Sequence, residues 1–153
     1  MKDKIEKLIY EYLREARMMQ LATCANSKPW ICNVWFSFDE EMNIYWFSST
    51  TRRHSKEIEH NPNVAGAVVL PLTPEDPARG IQFEGEAERL TNEEDINKAR
   101  STYEGRIFPA KTIDNLMVSI EKPHVFYRIK VSTYVLFDTL NFPEESRQEW
   151  RAR

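Results

Sequence analysis

Nine consecutive residues hold five hydroxyls and four basic side chains: Ser48, Ser49, Thr50, Thr51, Arg52, Arg53, His54, Ser55 and Lys56. Hydroxyls and cations gathered where a helix begins are the chemistry of anion binding. Free backbone N–H groups and the helix dipole add there to the side chains. The alternative is a solvated turn, the usual fate of a charge cluster. Two features weigh for an anion, a phosphate above all. Cations at a helix start oppose the dipole unless an anion intervenes, and the preceding Tyr45, Trp46 and Phe47 form an apolar wall that suits an aromatic ring system. The cluster also stands out from an acidic chain, whose formal net charge is −3. In this reading Arg53 neutralises the anion, and Ser48, Thr51 and Ser55 are further donors.

Two other segments carry polar groups in apolar company. Strand alternation over residues 29–37 puts Trp30, Cys32, Val34 and Phe36 on one face, with Ile31, Asn33, Trp35 and Ser37 on the other. Core packing accounts for the aromatics. Asn33 is the exception, because an amide among large apolar groups needs partners, whether protein groups or a ligand's ring edge. In the strand expected at residues 80–90, Gln82 and Glu84 share a face opposite Ile81 and Phe83. That face is either solvated or set at a subunit junction, where Gln82 reaches a ligand. No side chain is an evident general acid or base, so no catalytic residue is named. Three histidines, at 54, 60 and 124, match no metal-binding spacing.

A chain of 153 residues is expected to form one domain, 1–153, with a core at about 18–140, an N-terminal helix over 1–17 and a polar tail at 142–153. Its acidic balance argues against nucleic-acid binding. Four glycines leave no Gly-rich nucleotide fingerprint, so side chains must hold any nucleotide. Cys24 and Cys32 fit neither a zinc knuckle nor a redox pair. With no apolar leader and no bilayer-spanning run, the expectation is a cytoplasmic protein with reduced thiols and no membrane partner.

The elements that must position these residues follow from periodicity. Ile5, Leu8, Ile9, Tyr12 and Leu13 mark one face of a first helix. Strands are expected at 18–24, 29–38, 44–47, 64–70, 80–90, 125–131 and 134–137, joined by short polar turns. A short helix at 55–59 stops before Pro62, where proline cannot continue it. Thr91 and Glu94 form a capping box for a helix to about Tyr103, and 110–116 forms another. The fold class is mainly β (α+β), an antiparallel barrel rather than an open parallel sheet.

Order and spacing together carry a resemblance. The strand at 29–37, the strand at 44–47, the basic hydroxyl loop, the helix ending at Asn61, Pro62, Asn63 and Val64, and Gly85, Glu86, Ala87, Glu88 and Arg89 resemble the FMN-binding split barrels related to pyridoxamine 5′-phosphate oxidase. Pro29 and Trp30 with Cys32 and Asn33, Arg53 with His54, residues 79–86, and Tyr103 with Arg106, Phe108 and Pro109 are similar to a small bacterial branch of that superfamily. The resemblance implies a six- to seven-stranded antiparallel split β-barrel with an N-terminal helix and short peripheral helices. It also implies a homodimer with FMN at the subunit interface. Cys32, Asn33, Val34, Trp35, Ser37, Phe47, Ser48 and Ser49 would run beside the flavin, with Trp30 or Trp35 shaping the ring's exposed face. Thr51, Arg53, His54 and Ser55 would sit at its phosphate, and Gln82 would approach from the same sheet or the partner chain.

The implied activity is that of a flavin-dependent oxidoreductase on a small molecule. Pyridoxamine phosphate is not the expected substrate. The oxidase has an arginine where this chain has Cys32 and a lysine where it has His54, and residues 143–150 lack its Arg-Leu-His-type substrate segment. The alternatives are a non-catalytic flavin or haem carrier or sensor, with His54 or His124 as an iron ligand, and a barrel that has lost its cofactor and serves as an interaction module.

Overall fold

The structure is a computed structural model and describes residues 2–153. Strand β1 (Met18–Ala25) turns into β2 (Lys28–Trp35) through Asn26 and Ser27, whose φ angles are 52° and 61°. Two consecutive positive φ values make the hairpin turn whose twist matches that of the strands. Phe36 then leaves the ladder: its N–H donates to Arg17 O at 2.9 Å and its ring is fully buried. The strand expected at 29–38 is therefore broken into β2 and a two-residue β3 (Ser37–Phe38).

The remaining strands are β4 (Ile44–Ser49), β5 (Asn63–Val69), β6 (Arg79–Arg89), β7 (His124–Asp138) and β8 (Arg147–Arg151). All pairings are antiparallel, in the order β2-β1-β5-β6-β7-β4-β3, with β8 also on β7. This is the mainly β split barrel that the sequence pattern implies. The two strands expected at 125–131 and 134–137 are one. One edge of β7 lies along β6, and the other is shared, residues 124–129 pairing with β4 and 133–137 with β8. The β6–β7 register shifts between Glu84 and Gly85. A Cβ at Gly85 would stand 2.3 Å from Lys130 O, so only glycine lets the two backbones meet there.

Four helices close the fold: α1 (Lys2–Glu15), α2 (Arg53–His60), α3 (Glu93–Tyr103) and α4 (Ala110–Met117). Helix α1 buries Ile5, Ile9, Tyr12 and Leu13 in the main core, as its 3.6-residue period requires. Strand β4 is buried on both faces. Ile44 and Trp46 face the main core, where Trp46 stacks on Tyr127 at 4.9 Å. Tyr45 and Phe47 face a second cluster with Phe126 and with Ala99, Tyr103 and Ile113 of α3 and α4.

The polar tail expected at 142–153 contains a strand. Residues 147–151 form β8, because alternation in Arg-Gln-Glu-Trp-Arg turns Gln148 and Trp150 inward. Trp150 is buried against Tyr134, and its indole N–H donates to Glu6 of α1 at 3.2 Å. The C-terminal strand thus ties the N-terminal helix to the sheet. Trp150→Ala should cost about 3 kcal/mol of unfolding free energy, measured by denaturant titration. A loss well under 1 kcal/mol would mean that β8 contributes little to the fold.

Candidate functional site

The barrel does not close by backbone pairing: among the described residues no ladder joins β2 to β4. Helix α2 lies across that gap, and His54 spans it. Its Nε2 is 2.9 Å from Ser48 Oγ on β4, and its Nδ1 is 3.4 Å from Cys32 Sγ on β2. Ser55 adds a second tie, its hydroxyl donating to Ser49 O at 2.8 Å. His54 is buried, and that burial, aided by the charge of Arg52, holds its pKa below the ordinary histidine value. Burial, with the nearby Glu57 carboxylate, pushes the Cys32 thiol up. A neutral imidazole between a protonated thiol and a hydroxyl uses one ring nitrogen as donor and the other as acceptor, so either tautomer satisfies both contacts.

Arg53 sits at the outer lip of the seam. Its guanidinium lies over the Trp30 ring at 4.1 Å, and its Nε–H donates to Glu57 Oε1 at 2.7 Å. The other Glu57 oxygen accepts from Thr23 Oγ1 at 2.5 Å. These two hydrogen bonds hold the Glu57 carboxyl below the usual carboxylate range. The side chain of Arg53 remains 46% exposed, and its Nε is the atom that takes a protein hydrogen-bond acceptor. Beside it, Arg52 supplies no side-chain cap to α2, whose first turn also lacks an acid. Uncapped first-turn N–H groups next to an outward guanidinium form an electropositive lip suited to an anion.

The residues singled out from the sequence fall into four places. Cys32, Val34, Ser48, Ser49, Thr51, Arg53, His54 and Ser55 gather at the seam, where the Ser49 and Thr51 hydroxyls bond each other at 2.8 Å. Asn33, Trp35 and Gln82 lie on the outer sheet face instead, Asn33 accepting from Gln20 Nε2 at 3.1 Å. Ser37 is fully buried, with its hydroxyl 2.8 Å from Thr102 Oγ1 of α3. Phe47 belongs to the second core cluster, beside Phe126 and His124. Thr23 and Glu57 were not among the residues expected at the site. The i, i+4 spacing of Arg53 and Glu57 is a legible ion-pair signal, whereas nothing in the sequence marks Thr23.

A family model described as pyridoxamine 5′-phosphate oxidase matches residues 5–134. The chain belongs to that family. A UPF0306 protein of Photorhabdus laumondii is 31% identical over 98 residues, 63% of this chain and 68% of that relative. Two solved structures show how widely the family's barrel is shared. A haem-binding protein from Mycobacterium smegmatis superposes with a TM-score of 0.73 at 17% identity, over 93% of this chain and 57% of that one. A FAD-binding protein from Mesorhizobium loti gives 0.62 at 19% identity, over 82% and 88%. At identities this low, the superpositions show a common fold alone. Among the described residues no three His, Cys, Asp or Glu side chains are placed to hold a metal, and no helix is long and apolar enough to cross a membrane.

The buried histidine makes stability depend on pH. A folded-state pKa below the unfolded value of ~6.5 means that the unfolded chain binds the extra proton first. Stability is then fully present above ~6.5 and falls as pH drops toward the lowered value. Denaturation midpoints measured down from neutral pH should decline in that window, and His54→Gln should flatten the decline. An unchanged slope in the variant would show that His54 is not the group responsible.

Proposed function

We propose that this protein binds FMN in the seam between β2 and β4 and acts as a flavin-dependent oxidoreductase on a small molecule other than pyridoxamine phosphate. The carrying observation is the lip of the seam, where Arg53 lies on Trp30 beside the uncapped start of α2. The donor set fits a phosphate: one half-exposed guanidinium bound to protein through its Nε, and backbone N–H groups on a helix start. Trp30 and Val34 supply apolar surface for a ring system, since both point to the side of β2 that faces α2. When bound, the flavin supplies the hydride or electron transfer. The chain binds it and sets its electrostatics. His54 has both ring nitrogens engaged, so it acts as a brace of the seam and not as a proton donor to substrate.

The second copy expected of a homodimer has a surface to meet. Ile31, Trp35, Val69 and Phe137 are exposed on the outer face of the sheet, and Asn33, Gln20 and Gln82 lie between them. Gln20 Oε1 is buried there with no protein donor. An apolar face with an orphaned acceptor suits a self-complementary contact. That contact would bury Asn33, Trp35 and Gln82 against the partner, on the face of the sheet opposite the one that carries Trp30 and Val34. A cytoplasmic setting accords with its two free thiols.

One observation favours a second reading, a haem carrier. His124 Nδ1 is 2.8 Å from Lys122 O, which leaves Nε2 of the neutral ring free, the arrangement typical of a metal-ligating histidine. Absorbance spectra of the purified protein and FMN titrations separate the readings. FMN uptake weakened about tenfold or more by Arg53→Ala, the loss of a charge-assisted contact, supports the flavin. A Soret band on haem addition that His124→Ala abolishes, with no flavin uptake, supports the carrier. Equal FMN affinity in Arg53→Ala and the parent would remove the assigned phosphate contact.

A further inference from the structure

We propose that Thr23 and Glu57 are positioning residues that hold Arg53 flat on Trp30, so that its terminal nitrogens face the phosphate of the bound flavin. This rests on the flavin reading above and names residues outside the loop that reading uses. Glu57 is buried, with 11% of its side chain exposed. Both its oxygens are held, one by Thr23 Oγ1 on β1 and one by Arg53 Nε. The half-exposed Arg53 is thus held by Glu57, which is itself held by Thr23. Thr23 is itself 2% exposed and inward on β1, so the anchor belongs to the sheet and not to the helix.

The geometry determines which edge of Arg53 is presented. Glu57 takes the Nε side, and Trp30 covers one flat face of the guanidinium at 4.1 Å. The Nη edge is left, and it is the edge that meets a phosphate through two parallel N–H groups. A long side chain already fixed in its bound geometry loses less entropy when ligand arrives. The carboxylate also carries a charge that opposes the phosphate. Positioning and repulsion therefore predict opposite effects when Glu57 is changed. The full anchoring of Glu57 by Thr23 favours positioning, because a simple competing anion needs no such brace.

The experiment compares FMN with riboflavin, which has the same ring and ribityl chain without the phosphate. Dissociation constants for both are measured in the parent protein, Thr23→Val, Thr23→Ser and Glu57→Gln, with melting temperatures to confirm folding. Thr23→Val keeps the Glu57 charge and removes only the brace. The preference for FMN over riboflavin should fall about three- to tenfold in Thr23→Val and Glu57→Gln, the cost of immobilising one long side chain on binding. Riboflavin affinity should stay unchanged, and Thr23→Ser should restore the preference. A general loss of structure would lower both affinities together. An unchanged preference in Thr23→Val, or a raised one in Glu57→Gln, overturns the proposal while leaving the flavin site standing. A parent protein that takes up neither flavin overturns both.

Discussion

The contact on which the site depends is the one His54 makes across the gap between β2 and β4. An antiparallel barrel that runs β2-β1-β5-β6-β7-β4-β3 has two edges that must either pair or be covered. Strand β4 gives its edges to β7 and to the two residues of β3, and β2 gives one edge to β1. The seam left over is closed by side chains from α2. His54 reaches Ser48 on one wall and Cys32 on the other, while Ser55 ties the helix to the backbone of Ser49. Side-chain closure differs from a ladder in one consequential way. It leaves side chains in place of a row of backbone hydrogen bonds, with Cys32 on His54 within the seam and Trp30 under Arg53 at its outer side.

Charge at this seam is balanced locally. His54 is kept neutral by burial, and Arg53 is matched by Glu57. With Arg53 half-exposed, the pair itself adds little stability, but Glu57 is anchored a second time by Thr23. The arrangement gives direction to a cation more than it gives strength to the fold. The adjoining cations Arg52 and Lys56 point to the same excess of positive potential at the start of α2 that the sequence suggested.

Much of the barrel was legible in the sequence because it rests on local rules. The turn at Asn26 and Ser27, the amphipathic face of α1 and the stop of α2 before Pro62 each follow from a few neighbouring residues. What was not legible depends on distant partners. Phe36 leaves its strand because Arg17 takes its N–H, and Ser37 is buried because Thr102 of α3 meets it. The tail becomes β8 because β7 has a free edge beside Tyr134 for Trp150 to cover. At the site, residue types announced an anion grip. Burial then divided the cluster, turning His54 and Ser55 inward as braces and leaving Arg53 outward. Asn33, Trp35 and Gln82 share the resemblance that named them, yet the sheet sets them on its other face.

The claim at the centre of this account is that the side-chain-closed seam is the ligand seat. Amide hydrogen exchange, followed with and without FMN, tests it most directly. The account predicts slowed exchange concentrated at the start of α2, around residues 52–56, and along β2 from 30 to 35. Slowing confined to other elements, or no slowing at saturating FMN, would contradict it.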